Sequence, residues 1–453
     1  MRYSKNRKYI KSVLYASVFA AGALLGTSGT ATAANYYVAI QDSRASDSNP
    51  GTESAPWKTL YRVNQANLQP GDTVIVKPGV YEMTTGGTWA SPIINPKNSG
   101  TANNPITFRA VPRHQAILRN APNPILGSNG RDHIVIDGFF VKNVYGKGMV
   151  VYNADGVVIQ NNIIEHVWSQ SNGDNTDGIR VELANGTIVR NNEIRDIDNG
   201  AHLHYNAAGV KLYNASNSII ENNEIYDAGA GVYDKTGGKS NHIRRNYMHD
   251  CGSGLRFHSK SSEPTANVEM YQNVVNKCEI GFAVTDSVDT TLRVYNNVFA
   301  NSLESAFKAP VGTTGGRHRI YNNIIYGPKA GSIALYAYED PMVTMLTDYN
   351  LYVGEPVFHI GRYKTNRSFN SLAAYQAGTG RDTHSFVGDA AFVNAAKADF
   401  RLNNWSVAKN AGRVGGVSSG APIDMGAYPT GLETIGLVSD SARPAPPVLL
   451  EVR

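Results

Sequence analysis

The chain alternates apolar and polar residues with a period of two, in short runs separated by turns rich in Asn and Gly. Seven of these runs share a centre in which Asn-Asn or a close variant joins two β-rich segments, as in TIVRNNEIRDI and SIIENNEIYDA. This alternation is typical of strands, and no helical periodicity runs through the region. The second Asn of the repeat occurs at positions 162, 192, 223, 246, 273, 297 and 323.

The intervals between these asparagines, 23 to 31 residues, indicate the architecture. A period of this size that varies by insertion is typical of a solenoid. We therefore predict an all-β fold, a right-handed parallel β-helix (β-solenoid) with one turn per repeat. Equivalent residues would stack about 4.8 Å apart, so the asparagines should form a ladder of side-chain amides.

The two ends of the chain are predicted to differ from the repeat. Residues 1–33 combine a basic start, the apolar run SVLYASVFAAGALLG and a small-residue ATA site, which predicts a secretory signal peptide; a retained anchor is the alternative. A single β-helix domain is expected over residues 34–435, begun by a capping helix within APWKTLYRVNQANL. Its C-terminal part should be rich in loops, with a short helix near Ser371–Gln376, before a tail over 436–453.

The charge balance changes once the predicted signal peptide is removed. The full chain has 42 Lys and Arg against 37 Asp and Glu. Five of the basic residues lie in the signal peptide, which leaves 37 charges of each sign. This balance gives no support for nucleic-acid binding, which needs a basic face. We expect a monomer secreted to the extracellular space or periplasm, without a membrane partner after signal removal.

The two cysteines offer a test of the register. Cys251 lies three residues before Gly254 and Cys278 three before Gly281, and each glycine precedes an apolar strand. Equivalent positions of neighbouring turns stack, so the two cysteines should be neighbours in space. A disulfide is compatible with export and with the stacking distance, and a pair of buried thiols is the alternative.

The segments that follow such glycines, GIRVE, GVKLY, GVYDK, GLRFH and GFAVT, place polar groups on one face. Alternate side chains of a strand point to opposite faces, so each segment has an inward and an outward pair. The outward residues of four consecutive segments form what we call the stripe. Its members are Arg180, Glu182, Lys211, Tyr213, Tyr233, Lys235, Arg256 and His258, and Tyr152 lies on the turn before.

The composition of the stripe suits β-elimination of a uronic-acid polysaccharide such as alginate, pectate or a glycosaminoglycan. That reaction needs a cation for the sugar carboxylate, a base for the C5 proton and an acid for the leaving oxygen. Arginine binds carboxylates with two parallel hydrogen bonds, and burial with nearby cations makes lysine a base. We predict catalytic roles for Lys235 as base, Arg256, and Tyr233 or His258 as acid, with Tyr213 or Tyr233 as alternative bases.

The other predicted contacts bind the acidic polysaccharide. Like charges stacked on one sheet repel unless something anionic lies across them, so the cations of the stripe should hold sugar carboxylates.

Asp234 is the one charged residue that the alternation places on the inward face of these strands. A regular strand would bury it, and a buried carboxylate needs a partner. We expect the strand to end or bulge there, which would let Asp234 pair with Lys235. The predicted substrate-binding residues are Arg180, Glu182, Lys211, His204 and Tyr152.

The sequence is also compatible with two other functions. A glycoside hydrolase needs two carboxylates about 5–9.5 Å apart. A binding or adhesive β-helix without catalysis needs aromatic platforms, which the tyrosines of the stripe partly supply. The scattered acids available for hydrolysis are Glu182, Asp174, Asp177 and Asp234.

Segments outside the stripe resemble the secreted pectate-lyase-like superfamily of right-handed parallel β-helix enzymes. They are DSNPGTESAPWKTLYRVNQANLQPGDTVIVKPGVYE, SGTANNPITFRAVP followed by IVIDGFFV, and ADFRLNNWSVAKNAG with APIDMGAYP. The resemblance covers nearly all of the predicted mature chain. It implies the fold and an extracellular carbohydrate substrate, while lyases, epimerases and hydrolases share it.

The stripe is similar in outline to the alginate lyase and chondroitinase B group of that superfamily. That group uses a lysine base with an arginine and a histidine on the next turn, which would be Lys235, Arg256 and His258. It also places calcium-binding acids shortly before the lysine, where this chain has AGAGVY. Calcium dependence therefore stays open, with Asp174 and Asp177 of the loop SNGDNTDG as candidate ligands and a polar turn as the alternative.

Overall fold

The computed structural model describes residues 33–170, 173–201, 203–260, 262–285, 291–309, 317–327, 333–337, 345–361, 367–429, 432 and 434–437. Three long sheets run side by side, and strands from successive turns pair in parallel within each sheet. The prediction of an all-β parallel β-helix is confirmed. The predicted signal peptide, apart from Ala33, and the predicted tail beyond residue 437 lie outside the described residues.

Within these ranges, two sheets have twelve strands and the third has eleven. Sheet 1 comprises β1 (Asn35–Val38), β2 (Thr73–Val76), β4 (Ile106–Ala110), β7 (Ile134–Asp137), β10 (Val158–Gln160), β13 (Ile188–Arg190), β16 (Ile219–Glu221), β19 (His242–Arg244), β22 (Val268–Tyr271), β25 (Thr291–Tyr295), β28 (Arg317–Tyr321) and β31 (Met345–Asp348). Sheet 2 comprises β3 (Gly79–Glu82), β5 (Ala116–Ala121), β8 (Phe140–Tyr145), β11 (Ile163–Trp168), β14 (Glu193–Asp198), β17 (Glu224–Ala228), β20 (Tyr247–His249), β23 (Val274–Asn276), β26 (Val298–Ala300), β29 (Ile324–Gly327), β32 (Leu351–Gly354) and β35 (Phe386–Val387).

Sheet 3 carries the stripe. It comprises β6 (Leu126–Asn129), β9 (Lys147–Tyr152), β12 (Thr176–Glu182), β15 (Ala207–Tyr213), β18 (Ala230–Lys235), β21 (Ser253–His258), β24 (Ile280–Thr285), β27 (Ser305–Ala309), β30 (Ile333–Ala337), β33 (Val357–Ile360) and the antiparallel β34 (Arg367–Phe369). Two short antiparallel pairs follow near the C-terminus: β36 (Phe392–Asn394) with β37 (Asp399–Leu402), and β38 (Gly412–Arg413) with β39 (Pro422–Ile423).

Helices are few in the part of the chain that the structure describes. The α-helix α1 (Leu372–Thr379) lies near the predicted place, and its N-cap Ser371 accepts a hydrogen bond from the Ala374 amide. Short 3₁₀ helices span Leu60–Gln65, Ala395–Lys397 and Val414–Gly416. No helix of the described ranges has both the length and the apolar character needed to cross a membrane.

The predicted N-terminal capping helix is wrong in kind and length, because only the six-residue 3₁₀ helix Leu60–Gln65 forms there. Trp57, just before it, is held extended by a bridge to Val38, and Ala66, just after it, returns to extended backbone. Leu60 and Val63 are buried and join the main hydrophobic core.

The repeated asparagines form the predicted ladder inside the turn between sheets 1 and 2. All seven are at most 1% exposed, and each Nδ2 donates to the Oδ1 of the next Asn at 2.9–3.1 Å. The last donor, Asn323, reaches Asn350, which extends the ladder by one turn. The preceding residues, such as Asn191 and Asn222, have φ of 54°, a left-handed conformation that Asn tolerates.

Cys251 and Cys278 form a disulfide with their Cα atoms 4.4 Å apart. This confirms the register and selects the disulfide over a pair of thiols. Because the same glycine alignment placed the stripe, the cysteines also support the order of its side chains.

Candidate active site

The stripe occupies four adjacent strands of sheet 3, in two rows. Backbone register aligns Arg180, Lys211, Tyr233 and Arg256 in one row, and Glu182, Tyr213, Lys235 and His258 in the other. The predicted alternation is therefore confirmed. The rows differ in exposure, and this difference decides which residues can meet a substrate.

Asp177 supplies the anion that the stacked cations require. The Arg180 Nε donates to Asp177 Oδ2 at 2.7 Å, and the Lys211 Nζ lies 2.8 Å from Asp177 Oδ1. Arg180 also donates to Glu182 Oε2 at 2.9 Å. Asp177 and Lys211 are fully buried, and Arg180 is 4% exposed. The repulsion expected along the stripe is thus balanced inside the protein.

This network corrects the prediction that Arg180 and Lys211 grip substrate carboxylates. Lys211 fills its remaining donor positions with Asn175 Oδ1 at 3.2 Å and the Asn206 carbonyl oxygen at 2.8 Å. Burial lowers the pKa of Lys211 to about 7. Burial opposes ionisation of Asp177 too, but the charges of Arg180 and Lys211 outweigh it and hold the Asp177 pKa below its usual value. Arg180 and Lys211 therefore lie buried beneath the site, where they support its surface and do not contact substrate.

The two predicted ligands, Asp174 and Asp177, do not fit a calcium ion. Asp177 is already bound by two cations, which would repel a divalent cation and occupy its oxygens. Its partner in the prediction, Asp174, is exposed on the loop before β12. Among the described residues, no group of three or more His, Cys, Asp or Glu is placed to hold a metal.

Lys235 is the partly exposed lysine of the stripe. Its Nζ donates to the amide oxygens of Asn175 at 3.1 Å and Asn206 at 3.4 Å. Burial lowers the pKa of Lys235, Arg180 lowers it further, and Asp177 acts in the opposite direction. Neutral acceptors can hold the ammonium or the free amine, so this environment suits a base.

Asp234 does not take the predicted conformation. The strand β18 runs to Lys235 without a bulge, and Asp234 lies in register between Leu212 and Phe257, fully buried. Its Oδ2 accepts a hydrogen bond from Asn241 Nδ2 at 2.9 Å. The predicted bulge and the pairing with Lys235 are therefore wrong, because Asn241 supplies the inward partner. Burial raises the pKa of Asp234 to about 7.

Replacing Asp234 with Asn should stabilise the protein above pH 7 and change its stability little at pH 4. The folded protein keeps a proton, with a pKa of about 7, that the unfolded chain releases near the ordinary 3.8. Stability therefore falls as pH rises through this window, by roughly 4 kcal/mol at most. Urea unfolding at both pH values measures the effect, with the exposed Asp227→Asn as control. Equal effects at the two pH values would contradict this assignment.

Arg256 lines an open groove of about 420 Å³ beyond Lys235. Its guanidinium carbon lies 4.3 Å from the ring centre of Tyr205 and 5.4 Å from that of Tyr233. His204, stacked on Tyr205 at 4.3 Å, lines the same groove. Burial lowers the pKa of His204, and the charges of Arg256 and Lys211 lower it further.

The candidate acids differ in access. Tyr233 is 2% exposed and His258 8% exposed. Tyr213 is partly exposed, lies in register with Lys235, and its ring centre is 5.9 Å from the Lys235 Nζ. Access therefore favours Tyr213 over the two acids that the sequence suggested.

Several groups around the stripe were not found from the sequence. Most come from loops between strands, whose positions the repeat does not determine, or from the segment before the repeat, and Lys147 is the first residue of β9. Tyr152, predicted to bind substrate, packs edge-on against one of them, Trp89, at 5.6 Å. The residues missed are Trp89, Lys147, Asn175 and Asn206.

Comparisons with known proteins bear on the fold. A family model described as "Right handed beta helix region" matches residues 125–299, in agreement with the predicted handedness. No curated protein matches the chain significantly in sequence.

Among solved structures, the chain is similar to the pectate lyase Pel9A, with 17% identity over 89% of this chain and 98% of that chain, and a TM-score of 0.54. It is also similar to XylC in complex with xylose (10% identity, 89% of this chain and 99% of that chain, TM-score 0.49). A third similar structure is the A-module of the Azotobacter vinelandii mannuronan C-5 epimerase AlgE6 (12% identity, 78% of this chain and 98% of that chain, TM-score 0.46). At these identities the likeness shows the fold alone.

Proposed function

We propose that this chain, which has the right-handed parallel β-helix fold of the pectate-lyase-like superfamily, is a secreted polysaccharide lyase. Its substrate is a uronic-acid-containing polysaccharide, cleaved by β-elimination, and the working protein is a monomer. The observation that carries this proposal is Lys235, a partly exposed lysine with a lowered pKa and neutral hydrogen-bond partners, on the strand between those of Tyr213 and Arg256.

We assign one residue to each step of the proposed reaction. The Lys235 Nζ removes the C5 proton, and the electrons of that C–H bond form the C4–C5 double bond as the C4–O4 bond breaks. Tyr213 gives its proton to the departing O4. Arg256 binds the sugar carboxylate and stabilises the negative charge that builds up on it.

Hydrolysis by a carboxylate pair has less support. Asp177 is bound by two cations, and Asp234 faces the core, where it can contact no sugar. Glu182 already accepts a hydrogen bond from Arg180. These contacts leave Asp174 on the exposed loop without an obvious carboxylate partner among the acids that the sequence suggested.

The proposal is tested by incubating the purified protein with polygalacturonate, alginate and chondroitin sulfate while following absorbance of unsaturated uronate. A rise with at least one polymer is expected. New reducing ends without that absorbance would show a hydrolase, and no cleavage of any acidic polymer would count against the proposal.

Replacing Arg256 with Ala should lower kcat/KM by about a hundredfold, because the charge on the sugar carboxylate loses its partner in the transition state. Arg256→Lys keeps the positive charge but cannot make two parallel hydrogen bonds to a carboxylate. Its kcat/KM should therefore lie between those of the wild type and Arg256→Ala. Initial rates of absorbance change on the best polymer measure the effect. Wild-type turnover in Arg256→Ala would remove Arg256 from the reaction.

A further inference from the structure

A second cavity, of about 300 Å³, lies beside the stripe on the side away from Arg256. Its wall combines residues from the segment before the repeat, the β8–β9 turn and the loop before β12. The lining residues that matter here are Trp89, Tyr145, Lys147, Asp174 and Asn175.

Trp89 gives the cavity an aromatic surface. Its side chain is 55% exposed, although Tyr152 packs against its edge at 5.6 Å. The Lys147 Nζ lies 5.5 Å from its ring centre, so a cation borders the aromatic surface. An exposed indole inside a concave wall can cover the apolar face of a pyranose ring, while hydroxyls bond to polar groups such as Asn175 and Asp174.

The cavity adjoins the proposed reaction site. Asn175 is part of its wall, and the Asn175 Oδ1 also accepts the hydrogen bond from the Lys235 Nζ at 3.1 Å. Lys147 begins β9, which lies three strands from β18 in sheet 3, or about 14 Å along the axis. A polysaccharide that follows the axis from Arg256 past Lys235 would reach Trp89 a few sugar units later.

We propose that this cavity is a distal saccharide subsite, in which a uronate residue of the substrate chain stacks on Trp89 and places its carboxylate near Lys147. The acidic character of the ligand rests on the proposed function. Together with the groove at Arg256, the subsite holds the chain on both sides of Lys235, so cleavage falls inside the polymer.

The test is calorimetric titration of Lys235→Met, which leaves the ligand intact, with hexasaccharides of galacturonate, guluronate, mannuronate and chondroitin. At least one should bind, and adding Trp89→Ala should weaken its binding about tenfold or more. The matched control is Trp405→Ala, which truncates a 76% exposed Trp near the C-terminus and should leave binding unchanged. Lys147→Met should also weaken binding of the acidic ligand, whereas Lys142→Met on sheet 2 should leave its binding unchanged.

The outcomes separate the subsite from the reaction. If Trp89→Ala weakens binding but the wild-type protein releases no unsaturated product, the subsite stands and the lyase proposal fails. Equal affinity with and without Trp89, or no binding of any of the four hexasaccharides, overturns the subsite.

Discussion

Lys235→Met should lower kcat by about 10²–10⁴-fold on the best acidic polymer, since this is the usual cost of losing a general base. Methionine keeps much of the length of lysine but cannot accept the C5 proton. The wild-type enzyme should also lose activity as pH falls through the pKa of Lys235, which lies below the ordinary 10.5, because protonation removes the base. That dependence should be absent from the residual activity of Lys235→Met.

The control for this variant is Lys239→Met, which changes an exposed lysine four residues later. It should retain wild-type rates, and both variants should keep the wild-type melting temperature. If Lys235→Met keeps more than about a tenth of wild-type activity, Lys235 is not the base. Tyr213→Phe would then separate the other possibilities, because a large loss there alone points to tyrosine as the base.

Asp177→Asn should destabilise the protein by about 3–5 kcal/mol, the usual cost of breaking a buried ion pair. The change leaves Arg180 and Lys211 buried, and only Glu182 remains to balance the Arg180 charge. Lys211 can escape by losing its proton, since its pKa already lies at about 7. The loss should therefore be larger at pH 6 than at pH 9, as measured by urea unfolding.

Two further variants make this prediction specific. Asp174→Asn removes an exposed carboxylate from the loop just before β12 and should change stability little. The double variant Asp177→Asn/Lys211→Met should lose less unfolding free energy than the two single variants lose together, because both single changes remove the same interaction. Additive losses would show that Asp177 does not act through Lys211.

The sequence predicted the fold and register well because both depend on local, repeated features. Asn192 and Asn223 stack because each turn repeats the same backbone, and the cysteines pair because they share one position of the repeat. The alternation of apolar and polar residues along each strand then predicts which side chains point away from the core. These features need no knowledge of the loops.

The candidate site was less predictable, because exposure depends on residues outside the repeat. Lys211 was expected to face substrate, but Asn175 and Asn206 from two loops cover it. The alternation alone makes Asp234 incompatible with a regular strand, but Asn241 partners its carboxylate from the interior. Loop positions follow from tertiary packing, which spacing along the chain does not reveal.

The most direct test of the central claim is the mass of the products from a single cut in a defined acidic hexasaccharide. Elimination adds no water, so the two fragment masses should sum to the mass of the substrate, with one fragment unsaturated. The same digestion with Lys235→Met, stopped at the same time, should leave nearly all of the hexasaccharide uncut. Fragments that together exceed the substrate by one water would show hydrolysis and contradict a lysine-driven β-elimination.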